Sequence, residues 1–168
     1  MMQMATPQII GTIGDTASLC TIMGAGGMEP VLPVQIVSTG LPDIIFPVPD
    51  IAALDALAPD MQALSAMSAE LNVVGVHAFA LSNDGYTAHV RNFAPLYDIP
   101  EESATGTANA ALTYYLYNNG LLQSGAQCAF MQGEAMKRPS VVSTELKDDC
   151  SVYVGGNSYI LTKGEMFL

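Results

Sequence analysis

The residues best suited to chemistry lie in one short stretch, EESATGTANAAL, at positions 101 to 112. Two acids and several small residues lead through Gly106 and Thr107 into an apolar run with helical spacing. Such a loop is typical of a helix start that faces an anion, because the first backbone N–H groups of a helix have no partner within it. Gly106 also lacks a Cβ that would keep a ligand from the main chain. The stretch therefore predicts a carboxylate site at Gly106 and Thr107.

Two alternatives remain open at this point. Glu102, Ser103 and Thr105 could simply cap a helix whose small residues pack in a core. Arg91 lies just before the stretch and is the only arginine before position 138. Its fork of donors could hold a carboxylate or orient Glu102, but a structural ion pair would use the same donors.

The pattern of the whole chain predicts an α+β fold, a curved, mostly antiparallel sheet wrapped round a central helix. The central helix is the apolar run from 106 to 118, which Gly120 should end. Further helices are predicted over 15–23, 51–57 and 60–71, and strands over 31–38, 43–48, 72–81, 86–92, 127–131, 140–146, 151–154 and 157–162. Because regular βαβ units are not evident, a doubly wound parallel sheet is not expected.

The segment RNFAPLYDIPEESATGTANAALTYYLY, residues 91 to 117, resembles the signature of the PhzF-like phenazine biosynthesis family. In that family RxFAP, a few residues, E-D-P-A-T-G-S-A and a helix rich in Ala and Leu follow one another in this order. LPVQIVSTGLPDIIFPV at 32–48 and RPSVVSTEL at 138–146 are similar to strands of the same family. The resemblance covers nearly the whole chain, but only the C-terminal half of the usual family length.

The resemblance implies one half of a diaminopimelate epimerase-like fold, in which two similar domains enclose the active site and the N-terminal half supplies a glutamate as general base. Residues 1–28 then correspond to an interdomain crossover with a short helix, and 29–168 to the C-terminal domain. The implied function is isomerisation or epimerisation of a small carboxylic acid by acid–base chemistry, with neither cofactor nor metal. The chain alone would be catalytically incomplete and would need an N-terminal half-domain, in cis or in trans.

The resemblance also assigns roles to individual residues. Glu102 stands where the family has aspartate and is the candidate catalytic residue, able to position or protonate the substrate. Thr105, Gly106 and Thr107, with Arg91, would bind the anionic substrate. Thr105 stands where distantly related epimerases have a cysteine base, so thiol-type racemisation is not expected. The alternative is a non-catalytic module that binds a small acid or another protein.

Composition limits the possible partners and the compartment. The chain has 168 residues and a formal net charge of −11, with only five basic residues, so nucleic acid is a poor partner. It has no apolar run long enough to span a membrane, and its first residues, MMQMATPQII, lack the basic start of a signal peptide. A membrane partner is therefore not expected, and a cytoplasmic location is the default. Removal of a partner half would expose apolar surface, which predicts a homo-oligomer.

The cysteines and histidines do not indicate a metal site. Cys20, Cys128 and Cys150 are odd in number and have no C-x-x-C spacing, so buried free thiols are expected rather than disulfides or zinc ligands. His77 and His89 each lie in a strand-like run and are expected to face the core or solvent without binding metal.

Overall fold

A computed structural model describes residues 1–157 and 159–165 of the chain. The described residues form four helices, ten strands and a single 3₁₀ turn at Pro95–Tyr97. The strands are β1 (Met2–Gln3), β2 (Gln8–Thr12), β3 (Gln35–Ser38), β4 (Pro42–Pro47), β5 (Val76–Leu81), β6 (Ala88–Ala94), β7 (Ile99–Glu102), β8 (Gln127–Gln132), β9 (Ser140–Leu146) and β10 (Val152–Gly155). The helices are α1 (Thr16–Ile22), α2 (Ile51–Asp55), α3 (Met61–Leu71) and α4 (Gly106–Asn118).

All ten strands join one sheet, in the order β1-β10-β9-β8-β6-β5-β4-β3-β2, with β7 paired to β6 beside this path. Most pairs are antiparallel, as predicted, but β4 with β5 and β6 with β8 are parallel. A parallel pair requires a crossover connection. Here α2 and α3 connect β4 to β5, and β7 with α4 connects β6 to β8. Two parallel connections of this kind are therefore present, but the sheet as a whole is mostly antiparallel and, as expected, is not a doubly wound parallel sheet.

Helix α4 lies in the hollow of the sheet. It packs against β9 and β10 near one edge and against β3, β4 and β5 towards the other. Leu112, Tyr115 and Leu116 of α4 form one core cluster with Ile45 of β4 and Phe79 of β5. A sheet whose distant strands contact the same helix must curl round it, so the predicted curved sheet round a central helix is confirmed.

Helices α1, α2 and α3 cover the other face of the sheet. Side chains of a strand alternate between its two faces. Thus Ile44 and Phe46 of β4 pack with Leu19 of α1 and Leu64 of α3, whereas Ile45 between them packs against α4. The sheet therefore has a hydrophobic core on each of its two faces. This explains why β4 and β5 are apolar at almost every position.

The predicted elements agree with the structure except near the edges of the sheet. Each predicted helix is present within two residues at either end, and seven of the eight predicted strands overlap an observed strand. The exception is 157–162, where the described residues, 157 and 159–162, form no strand and residue 158 lies outside the described part. Strands β1, β2 and β7 were not predicted. The short helix expected in residues 1–28 is α1, and the domain boundary at 28/29 stays a prediction.

The predicted burial of the three cysteines is confirmed for two of them and wrong for Cys150. Cys20 and Cys128 are buried free thiols, and Cys150 is partly exposed. Within the described ranges, no helix combines the length and apolar character needed to cross a bilayer. The same ranges contain no cluster of three histidine, cysteine or acidic side chains placed to hold a metal ion. The cytoplasmic location stays a prediction.

Candidate functional site

The signature loop connects the end of β7 to the first turn of α4. Thr105 is the N-cap residue of α4, in extended conformation, but its side chain makes no capping hydrogen bond to the helix. Its hydroxyl donates instead to Oε2 of Glu102, at 2.7 Å. Among the described residues, the backbone N–H groups of Gly106 and Thr107 have no hydrogen-bond acceptor. The loop therefore holds a carboxylate beside an open helix start, and the side-chain capping alternative does not fit this geometry.

Gln132, at the end of β8, holds the loop in place. Its amide nitrogen donates to the backbone oxygen of Glu102 at 2.7 Å and to the Thr105 hydroxyl at 2.9 Å. Its amide oxygen accepts from the Thr105 backbone N–H at 3.1 Å and from Nδ2 of Asn109 at 2.9 Å. All of the side chain's donors and two acceptor positions are thus used. Such a fully satisfied buried network keeps its members in one arrangement.

The network continues from α4 to the middle of the sheet. Asn109 donates to the backbone oxygen of Thr105 at 2.9 Å. Its Oδ1 lies 3.3 Å from Nε2 of His77, and Nδ1 of His77 lies 3.0 Å from Oδ1 of Asn92. Burial lowers the pKa of His77 to about 4, so the ring is neutral at pH 7. His77 is therefore a buried strand residue facing the core, as predicted.

A cavity of about 540 Å³ opens where the signature loop, β4 and β6 meet. Apolar side chains make up most of its lining, and no Lys or Arg is found among the described residues that line it. The lining residues are Met2, Met4, Leu41, Asp43, Val74, Asn92, Ala94, Tyr97, Ile99, Glu102, Ala104, Thr105, Gly106, Thr107 and Val154. A mostly apolar cavity with a few convergent polar groups is typical of a small-molecule site.

Four of the five predicted site residues line this cavity: Glu102, Thr105, Gly106 and Thr107. Arg91 does not. Its Nε and Nη2 donate to the two carboxylate oxygens of Glu101, each at 2.9 Å. Its Nη1 donates to the backbone oxygens of Leu54, Asp55 and Leu57, at 2.9 to 3.3 Å. Of the two interpretations left open for Arg91, the structural ion pair is the one that the side chain forms.

Asp43 also lines the cavity and was not predicted from the sequence. Asp43 is 2% exposed, and Oδ1 of its side chain has no hydrogen-bond partner in the described part of the chain. Burial, with the negative charge of Glu102, raises the pKa of Asp43 to about 7, although the backbone N–H of Gly75 acts in the opposite direction. An acid within the apolar run PDIIFP was the available signal, because a buried charge in a strand is costly.

His89, the second histidine, lies away from the cavity. Nδ1 of His89 pairs with Glu134 and Nε2 with Asp84. Burial lowers the pKa of His89, but the hydrogen bonds to Glu134 and Asp84 outweigh burial and raise it overall. His89 is a strand residue of β6, as predicted, and its ring belongs to a surface ion-pair cluster.

Comparison with known proteins agrees with this geometry. The family model described as phenazine biosynthesis-like protein, PhzC-PhzF, matches residues 1–164. The chain belongs to the PhzC-PhzF family. The segment from which the family resemblance was inferred, residues 91 to 117, forms most of α4 and much of the cavity lining.

Two curated members of the family illustrate the similarity. An uncharacterized isomerase of Deinococcus radiodurans is 36% identical over 119 residues, which cover 69% of this chain and 38% of the relative. A trans-2,3-dihydro-3-hydroxyanthranilate isomerase of Pseudomonas chlororaphis is 30% identical over 147 residues, 85% of this chain and 51% of the relative. The chain therefore spans about half or less of the length of these two PhzC-PhzF relatives.

Solved structures of the PhzC-PhzF family share the fold. The Bacillus anthracis phenazine biosynthesis protein of the PhzF family superimposes with a TM-score of 0.81 at 19% identity. The superposition covers 92% of this chain and 56% of the other. At this identity the similarity establishes the fold, and the curled sheet round α4 is therefore that of the PhzF family.

Proposed function

We propose that this chain is the C-terminal, ligand-binding domain of a PhzF-like isomerase or epimerase that acts on a small carboxylic acid. The observation that carries the proposal is the position of Glu102, which lines an apolar cavity beside an open helix start and is held by the Thr105 hydroxyl. Named relatives in the family are isomerases, which fits acid–base chemistry of this kind. The reaction would need neither metal nor cofactor.

The backbone and side-chain groups of the loop have distinct tasks in this proposal. The N–H groups of Gly106 and Thr107 bind the carboxylate of the substrate, helped by the positive end of the α4 dipole. Glu102 positions the substrate or transfers a proton to it. Thr105 keeps the carboxylate of Glu102 turned into the cavity through the 2.7 Å hydrogen bond. Glu102 replaces the aspartate of the family signature, so its carboxylate reaches one methylene further, which favours a substrate different from that of aspartate-bearing relatives.

The proton-abstracting base comes from another polypeptide segment, an N-terminal half-domain in cis or in trans. Two observations support this part of the proposal. The chain spans 38% and 51% of the two curated relatives described above. The cavity is also open at a rim of exposed apolar side chains, namely Met2, Leu41, Tyr97 and Ile99. A second domain seated on this rim would close the cavity and exclude water.

A non-catalytic module is the second candidate, and the same apolar rim favours it. Exposed apolar patches mark interaction surfaces on soluble proteins. A domain that binds a small acid, or pairs with another protein through the rim, would use the cavity without proton transfer. The two candidates differ in turnover, and the acid-binding form of the second shares with the first the requirement that the chain binds a small acid.

Binding of a small carboxylic acid by the chain tests the shared requirement. We expect benzoate or acetate to shift the amide NMR signals of Gly106 and Thr107. Gly106→Pro removes one N–H at the first helical position, which tolerates proline, and should weaken binding by about tenfold or more, since hydrogen bonds to charged groups contribute about 1.5 to 3 kcal/mol.

Gly106→Ala is the matched control for Gly106→Pro. It adds the same Cβ, which would lie 3.3 Å from Cγ1 of Val154, but it retains the N–H. The alanine variant should therefore lose less affinity than the proline variant. Equal affinity of all three proteins, or binding that leaves the Gly106 and Thr107 signals unchanged, would show that the acid does not bind at this helix start.

The apolar rim also predicts self-association, in line with the homo-oligomer expected from the sequence. Sedimentation at micromolar concentration should give a dimer or larger species, and more of it as salt screens the net charge of −11. Leu41→Glu should shift the chain towards monomer. The control is Leu121→Glu, also at an exposed leucine but outside the cavity lining. A stable 17.6 kDa monomer at all salt concentrations would contradict the prediction.

A further inference from the structure

Asp43 is buried, faces the cavity and has no role in the function proposed above. It is the second residue of β4 and lies on the same face as Ile45, towards α4. Its side chain lines the cavity together with Glu102. Oδ1 of Asp43 has no hydrogen-bond partner among the described residues, although the residue is only 2% exposed.

An unpartnered buried oxygen is costly in a purely structural residue. Leaving such a group unsatisfied costs free energy, and an apolar side chain would fill the same place without this cost. Buried polar atoms in native proteins therefore nearly always have a partner. Since the described chain offers no partner to Oδ1 and Asp43 lines the cavity, a molecule that enters this cavity is an available partner for the carboxyl group.

The charges round Asp43 decide what kind of molecule that is. Glu102 and Tyr97 are the other titratable residues of the cavity lining, and His77 lies on the same face of the neighbouring strand β5. His77 is neutral at pH 7, because burial lowers its pKa to about 4. Burial and the charge of Glu102 raise the pKa of Asp43 to about 7. Asp43 therefore carries a proton in a substantial fraction of molecules at neutral pH and can act as a hydrogen-bond donor.

We propose that protonated Asp43 binds the ligand directly, donating its O–H to an oxygen of a small carboxylate held in the cavity. This inference rests on the proposed function, because it needs the cavity to accept such an acid. Because protonated Asp43 is uncharged, it does not add to the repulsion that an anionic ligand meets from Glu102 in the apolar cavity. In the absence of a lysine or arginine from the described lining, Asp43 and the helix N–H groups supply the donors.

The affinity for a simple acid should consequently fall as the pH rises. Benzoate stays ionised between pH 6 and pH 8, so only the protein titrates in this range. If the ligand binds the protonated form of Asp43 alone, its affinity should fall by about tenfold from pH 6 to pH 8. Calorimetry in buffers of different ionisation enthalpy should show proton uptake on binding.

Asp43→Asn tests whether the pH dependence comes from titration of Asp43. Asparagine keeps an N–H donor of similar size but does not titrate, so the variant should bind benzoate with the same affinity at pH 6 and pH 8. Glu70→Gln is the control, because it removes one exposed carboxylate on α3, away from the cavity. This control should keep the tenfold dependence of the wild type.

Carbon-13 NMR of the Asp43 carboxyl group gives a test that needs no variant. Benzoate should shift the titration of this carboxyl to higher pH, an effect that a merely structural aspartate would not show. Binding with unchanged affinity at both pH values and an unshifted carboxyl titration would overturn the inference but leave the proposed function in place. Absence of acid binding at either pH would overturn both.

Discussion

Turnover of trans-2,3-dihydro-3-hydroxyanthranilate or a related acid is expected only when the chain is combined with the remaining half of a family member. The chain alone should be slower by about 10² to 10⁴, the usual contribution of a general base or acid. The physical reason is that, in the proposed function, Glu102 lines the cavity while the proton-abstracting base belongs to the other half. The measurement compares solvent-deuterium incorporation by the chain, by the added half and by both together.

Substitution at Glu102 shows whether this chain contributes to the chemistry. In the combined protein, Glu102→Gln should lower turnover by about 10² or more, since the amide retains the shape but cannot transfer a proton. Glu70→Gln, an exposed acid on α3, should leave turnover unchanged. Full activity of the chain alone would overturn the assignment of the base to another segment. Inactivity of every combination, despite acid binding, would favour the non-catalytic module.

The second large effect concerns how stability depends on pH. Burial raises the pKa of Asp43 and lowers the pKa of His77. The pKa of Asp43 rises from 3.8, the ordinary value for an aspartate, to about 7 in the folded chain, so folding favours its protonated form. Its contribution to stability is fully present below about pH 4 and is lost as the pH rises to about 7. At 1.36 kcal/mol for each pKa unit, the loss is about 4 kcal/mol.

His77 acts in the opposite sense over nearly the same pH range. Its pKa falls from 6.5 to about 4 on burial, so folding favours the neutral ring. Its contribution is present above about pH 6.5 and is lost as the pH falls to about 4, a change of about 3 kcal/mol. The two contributions largely cancel in the wild type, so the effect of either group appears only when the other is removed.

Urea unfolding of two variants between pH 4 and pH 7 measures the two contributions. The free energy of unfolding of Asp43→Asn, minus that of the wild type, should rise by about 4 kcal/mol across this range. The same difference for His77→Gln should fall by about 3 kcal/mol. Glu70→Gln should give a nearly constant difference, because surface changes have small effects. Flat profiles for both buried variants would show that neither group is held in the ionisation state described.

Elements with strong residue patterns could be predicted from the sequence, whereas strands that depend on their neighbours in the sheet could not. Helix α4 and strands β4 and β5 carry long apolar runs that bury two faces or one wide stripe. Both ends of α4 and the end of β5 were predicted to the residue and β4 to within one residue, whereas β5 starts four residues later than predicted. Strand β2 is an exposed edge strand with an irregular register near Gly11. Strand β7 includes a proline and two acids, and among the described strands it pairs with β6 alone. Neither has a pattern that indicates a strand without its partner.

The candidate site was predicted only in part for a related reason. Glu102 and Gly106 belong to one contiguous motif, so their proximity is local and can be read from the sequence. Asp43 and Gln132 reach the same cavity through β4 and β8, which lie far from the motif along the chain. Arg91 precedes the motif directly, yet its side chain turns to the end of α2, a direction that depends on the packing of α2 against β6.

The amide of Gln132 also bears on how this site can change in evolution. Because the Gln132 amide bonds both the Thr105 hydroxyl and the Asn109 side-chain amide, replacement of either side chain by an apolar one leaves a buried donor or acceptor of Gln132 unmatched. Substitutions at positions 105, 109 and 132 would therefore have to occur together during evolution. Natural variants should therefore show correlated identities at these three positions, while the apolar lining of the cavity varies independently. The hydrogen-bonded residues would then be conserved as a set, and new substrate preferences would arise through changes in the apolar lining.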